Sequence, residues 1–166
     1  MARLPRRRGI GYVPEDRRVF PFLTVRETLE VGVKPPITPG NTAWTSEKVF
    51  DLFPLLRKLE KRNGGTLSGG EQQMLTIARS LMGNPDLLLL DEPSEGLAPL
   101  VVEHLLEQLQ RLREEGLAIL LCEQNVDFAL ELSDRVYIID KGHIRFEGTI
   151  SEFEENEELR LAYLAV

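Results

Sequence analysis

Apolar residues change their spacing along this chain at about residue 84. Before that point they recur every three or four positions. Val49, Phe50, Phe53, Leu56 and Leu59 predict a helix over about Ser46 to Arg62, with Pro54 placing a kink or break inside it. Thr24 and Glu27 have the spacing of a capping box, so a helix starts near Val25. Ser68 and Glu71 repeat that spacing, and Met74, Leu75, Ile77, Ala78, Leu81 and Met82 carry a further helix onward. Gly32 to Gly40 holds Pro35, Pro36 and Pro39 and reads as loop. Ahead of these, residues 9 to 13 read as a short strand ended by Pro14, with a turn over residues 15 to 18.

The second half alternates short unbroken apolar runs with helical stripes. Asp86 to Leu90 and Leu117 to Cys122 have the look of strands buried on both faces. Val101, Leu105, Leu106, Leu109 and Leu112 form a helix stripe between them, ended near Gly116. A helix over about Val126 to Leu132 and a strand over Arg135 to Ile139 follow. Lys141-Gly142 then turns tightly into a last strand, Ile144 to Glu147. Strand, helix, strand, helix, strand predicts right-handed crossovers and a parallel sheet. A mostly helical piece over about residues 20 to 83 thus precedes the back half of an α/β sheet.

Composition narrows this picture. A length of 166 residues is one domain of ordinary size, with enough apolar residues to fill a core. The net charge of −7 argues against a broad nucleic-acid footprint, which needs a basic face. Arg3, Arg6, Arg7 and Arg8 crowd the start, and read first as a solvated tail. Glu147, Glu152, Glu154, Glu155, Glu157 and Glu158 crowd the end. The single cysteine, Cys122, permits no intrachain disulfide and points to a reducing compartment. Its apolar surroundings predict a small buried core residue. No stretch reaches the roughly 18 apolar residues of a membrane span, and no apolar region follows the basic start as in a secretory signal.

Two motifs carry chemistry. In Leu67-Ser68-Gly69-Gly70-Glu71-Gln72-Gln73, Ser68 caps a helix whose first turn has two glycines. Without side chains there, an anion can approach the free N–H groups at the positive end of the helix dipole. Taken alone, the spacing favours a plain capped helix. In Leu87-Leu88-Leu89-Leu90-Asp91-Glu92-Pro93, two acids close a buried parallel strand, at the edge where ligands bind in open α/β sheets. An Asp there can hold Mg²⁺, and the adjacent Glu can orient and deprotonate an attacking water.

Together, in this order and spacing, the motifs resemble the signature and Walker B motifs of the ABC ATPase family. The resemblance implies an α/β, partial P-loop NTPase fold: a helical signature subdomain over 20–83, then over 84–166 the C-terminal part of a mostly parallel sheet. It implies that Asp91 helps hold Mg²⁺ and that Glu92 is the general base. It implies that Ser68, Gly69, Gly70 and Gln72 touch ATP bound to a second ABC ATPase subunit, in a head-to-tail dimer. Integral membrane permease subunits are the further partners it implies, with the chain on the cytoplasmic face of the membrane.

Other stretches resemble family landmarks with altered residues. Gly11-Tyr12-Val13-Pro14-Glu15 resembles the coupling strand and loop, with Glu15 where most relatives have Gln. A carboxylate there can bind metal or water but repels phosphate oxygens. Ala98 stands where the D-loop commonly has Asp, and Gln124 where the switch region commonly has His. Gln can hydrogen-bond a phosphate but carries no positive charge. These departures are similar to the ATPase subunits of bacterial branched-chain amino acid importers, with urea and short-chain amide importers as close cousins. No Gly-x-x-x-x-Gly-Lys-Ser/Thr loop occurs in the 166 residues. The resemblance therefore implies a chain lacking the first third of the family's domain, with no nucleotide held beside Asp91 and Glu92 in cis. A non-catalytic half that docks on a partner is the alternative this raises.

Overall fold

The computed structural model describes residues 9–36 and 43–164. The arginine cluster at the start and Pro39 and Gly40 of the predicted loop lie outside them. The chain divides into two compact units, Met1–Cys122 and Glu123–Val166.

In the first unit, three parallel strands stand in the order β1 (Ile10–Val13), β2 (Leu87–Asp91), β3 (Ala118–Cys122). The register pairs Val13 with Leu90, and Leu90 with Leu121. The central strand sinks Leu88 and Leu90 to 0% and 1% exposure. Between β1 and β2 run α1 (Val25–Gly32), α2 (Ser46–Leu52), α3 (Pro54–Lys58), a 3₁₀ turn at Gly64–Thr66, and α4 (Gly69–Leu81). The capping box of α1 is formed: Glu27 N–H donates to Thr24 Oγ1 at 3.2 Å, and Thr24 N–H to Glu27 Oε2 at 2.8 Å. Donation from Thr24 N–H, and then from its hydroxyl, holds the Glu27 carboxyl below its ordinary value. α1 packs on α4, and Val25, Leu29, Leu75, Ile77 and Leu81 are fully buried. Burying each such side chain is worth about 1.5–3 kcal/mol.

Pro54 does more than kink the predicted helix over 46–62. It opens a new helix at its first position, and the pair ends at Lys58 instead of Arg62. α5 (Pro99–Glu114) then leads to β3. The expectation of a fully buried β3 fails. It is an edge strand, with Leu120 at 53% and Cys122 exposed. An apolar run reports the residues available for burial, not what packs on each face of the strand. Cys122 is thus no buried core residue.

In the second unit, α6 (Val126–Leu132) follows its cap Asn125, whose Oδ1 accepts Phe128 N–H at 3.2 Å. β4 (Arg135–Asp140) and β5 (His143–Thr149) pair antiparallel as a separate two-stranded sheet. The turn explains the pairing. Lys141 and Gly142 have φ of 49° and 78°, the paired left-handed geometry that matches the twist of a two-residue hairpin. α7 (Ile150–Glu154) and α8 (Glu157–Leu164) close the unit, with the Phe146 and Phe153 rings tilted against each other at 6.0 Å between centroids. No helix among the described residues is long and apolar enough to cross a membrane.

Candidate functional site

β2 ends on Asp91, in register with Cys122. Tyr12 on β1 reaches across, and its Oη donates to Asp91 Oδ2 at 3.0 Å. That bond, with burial and the negative charge adding to it, lifts the Tyr12 phenol above its ordinary value. Glu92 follows with φ 44°, left-handed backbone that costs a non-glycine residue about 1–2 kcal/mol. Its N–H still donates to the Cys122 carbonyl at 2.9 Å, which holds the bend against the sheet.

The chain then doubles back. Glu95 N–H donates to the Glu92 carbonyl at 3.2 Å, and Leu97 N–H to the Ser94 carbonyl at 3.3 Å. This brings the Glu95 carboxyl beside Glu15 and Glu92. The charge of Glu15, then a shared hydrogen bond with it, then the charge of Glu92, push the Glu95 carboxyl above its ordinary value. Glu15, Glu92 and Glu95 are thus one acidic group, built from the loop after β1 and the segment after β2.

Ser68 caps α4 as expected. Glu71 N–H donates to Ser68 Oγ at 3.4 Å, and Ser68 N–H to Glu71 Oε2 at 2.7 Å. The two glycines are closely covered. A Cβ added at Gly70 would lie 2.5 Å from Val101 Cγ1 on α5, and one at Gly69 would lie 2.6 Å from Arg17 Nη1. Gly70 is buried. The same guanidinium donates through Nη2 to the Glu95 carbonyl. Gln72 turns elsewhere: its Nε2 donates to the Gly64 carbonyl at 3.1 Å, clamping the 3₁₀ turn. Gln124 belongs to the second unit, where its N–H donates to Glu123 Oε2 at 3.0 Å.

Sequence reasoning singled out Asp91, Glu92, Glu15 and Ser68 but not Tyr12, Arg17 or Glu95 as members of this region. Tyr12 could be found only with the β1–β2 register in hand. Among the described residues, no three His, Cys, Asp or Glu side chains converge on a metal position.

A model of the ABC transporter family matches residues 2–95. The high-affinity branched-chain amino acid transport ATP-binding protein of Pseudomonas aeruginosa is 45% identical over 95% of this chain and 67% of its own length. A probable branched-chain amino acid transport ATP-binding protein of Archaeoglobus fulgidus is 40% identical over 90% and 64%. The lipopolysaccharide export ATP-binding protein of Escherichia coli K12 is 32% identical over 95% and 66%. The chain therefore spans about two thirds of the length of the curated relatives it matches. Among solved structures, an ATP-binding cassette of an ABC transporter in its ADP conformation superposes with a TM-score of 0.70 at 26% identity, over 95% of this chain and 69% of that one. A cassette dimer in a post-hydrolysis state with ADP and phosphate gives 0.69 at 26%, over 87% and 64%.

Proposed function

Because the chain belongs to the ABC transporter family, we propose that it is part of the ATP-hydrolysing subunit of a bacterial importer of branched-chain amino acids. The observation that carries this reading is the pair Asp91-Glu92 at the C-terminal end of the central parallel strand, where the fold presents ligands. Residues 20–83 serve as the helical signature subdomain and 84–166 as part of the α/β core.

In this reading Asp91, with Glu15, holds Mg²⁺, which neutralises charge on the phosphates when bound. Glu92 takes the proton of the attacking water, and Gln124 hydrogen-bonds the γ-phosphate. Ser68, Gly69, Gly70 and Gln72 meet ATP held by a second ABC ATPase subunit. The chain sits on the cytoplasmic face of the membrane through permease subunits. The acidic balance speaks against nucleic acid as a partner.

A second reading is that the chain only docks on a partner. The 166 residues contain no phosphate-cradling loop. Both readings therefore expect no steady phosphate release from Mg-ATP by the chain alone, and turnover lost in Glu92→Gln would overturn that expectation. Adding the chain to a complete cassette subunit of the branched-chain class separates the readings. The importer reading expects altered phosphate release by the mixture, with the effect weakened in Ser68→Ala, because Ser68 meets the nucleotide of the second subunit. Docking alone expects binding that Ser68→Ala leaves unchanged.

A further inference from the structure

We propose that Arg17 is a positioning residue. It donates to the segment after β2 while its other nitrogen lies against the first turn of α4, and through that segment it holds Glu92 in place. The proposal rests on the roles given above to Ser68–Gly70 and Glu92, and adds a residue that the motifs do not contain.

The geometry is that of a fork. Arg17 is half-buried, with left-handed backbone at φ 45°. Its carbonyl accepts Val19 N–H at 2.6 Å and its N–H donates to the Pro14 carbonyl at 3.4 Å, so the bend is held locally. One guanidinium nitrogen, Nη2, donates to the Glu95 carbonyl. The other, Nη1, lies where a Cβ of residue 69 would be 2.6 Å away. A Cβ at Gly96 would lie 3.4 Å from Nη2. A planar guanidinium with donors on both sides can serve two segments at once, whereas a lysine ammonium serves as a single point.

Glu95 in turn donates its N–H to the Glu92 carbonyl at 3.2 Å. The peptide that Arg17 grips is therefore one hydrogen bond from Glu92, whose φ of 44° needs outside support to persist. The absence of a side chain at residue 69 leaves room for this cation. Movement of the α4 first turn pushes on Nη1 and is passed by a rigid plane to the Glu95–Gly96 peptide. Gly69 and Glu92 are thus linked within one chain, although in the proposed function they serve different nucleotides.

The test is amide hydrogen exchange on the full 166-residue chain without nucleotide, so its outcome is independent of whether the chain serves an importer. Arg17→Ala is expected to speed exchange at Glu92, Glu95 and Leu97 by about tenfold, the effect of losing one charge-assisted hydrogen bond. Ile77 and Ala78 in the middle of α4 should be unchanged. Gly69→Ala, whose methyl displaces Nη1, should give the same local change, and the double variant no more than either single one. Arg17→Lys should recover part of the protection, because its ammonium still donates to the carbonyl. Unchanged exchange at these three amides in Gly69→Ala, additive effects in the double variant, or no recovery by lysine would each overturn the proposal. Should Arg17→Ala fail to fold, Gly69→Ala and Arg17→Lys carry the test.

Discussion

Tyr12 Oη and Asp91 Oδ2 lie 3.0 Å apart, and this bond ties the first strand to the acid that ends the second. It joins residues 79 positions apart in sequence, through strands that are direct neighbours in the sheet.

The bond has a pH signature. Asp91 accepts from the neutral phenol, so Tyr12 keeps its proton above the ordinary value of 10.0. A folded-state value raised above the unfolded one contributes stability that is complete below the unfolded value. The contribution is lost as pH rises through the folded one. Following the Tyr12 ring resonance with pH should show ionisation above the ordinary value, moving back toward it in Asp91→Asn. Tyr12 is 45% exposed, so the stability change is small, and Tyr12→Phe should flatten it. An unmoved Tyr12 titration in Asp91→Asn would show that the bond is absent in solution.

Glu95 predicts a gain. Glu15 and then Glu92 raise its folded-state value, so the charged form is disfavoured in the fold. For an acid raised in this way, folding is penalised above the folded value, and the penalty fades as pH falls to the ordinary value of 4.5 and below. Glu95→Gln should therefore raise the thermal midpoint at neutral pH, with the advantage shrinking in acid. An advantage equal at both pH values would mean that something other than carboxylate repulsion is being removed.

Ser68→Ala removes the side-chain half of the α4 capping box. The bond to Glu71 N–H is long at 3.4 Å, so the loss should fall at the lower end for caps, about 0.5–1 kcal/mol. Urea unfolding would register this as a lower midpoint at unchanged slope. Glu71→Ala should cost a similar amount, because the 2.7 Å bond from Ser68 N–H goes with it. No loss from either would mean that the first turn is held by its neighbours alone.

The capping signals at Thr24 and Ser68 and the tight turn at Lys141-Gly142 were legible because they depend on residues within three positions of each other. The acids at the end of β2 were legible for the same reason. What was not legible depends on who packs against whom. Leu117 to Cys122 has the composition of a buried strand, yet Leu120 and Cys122 are exposed at a sheet edge. Arg17 read as a turn residue, and only the fold brings it to the Glu95 carbonyl and Gly69.

Gly70 is the sharpest case of a residue explained by its neighbour, because two effects of opposite sign meet there. Alanine is the better helix former by up to about 1 kcal/mol. Yet its methyl would lie 2.5 Å from Val101 Cγ1, well inside the roughly 3.5–4.0 Å of a favourable carbon contact. Val101 is β-branched, so its χ1 gives way only at a cost, and overpacking of this kind runs to about 1–3 kcal/mol. The clash should win, and Gly70→Ala should destabilise the chain by about 1 kcal/mol. In a Val101→Ala background the obstructing methyl is gone and only the helix preference remains. There Gly70→Ala should be neutral or stabilising. Denaturant midpoints of the four chains check this as a double-mutant cycle. A glycine needed at this position for the packing of α5 on α4 gives the reversal, whereas one needed only for open access to the helix N-terminus gives the same sign in both backgrounds.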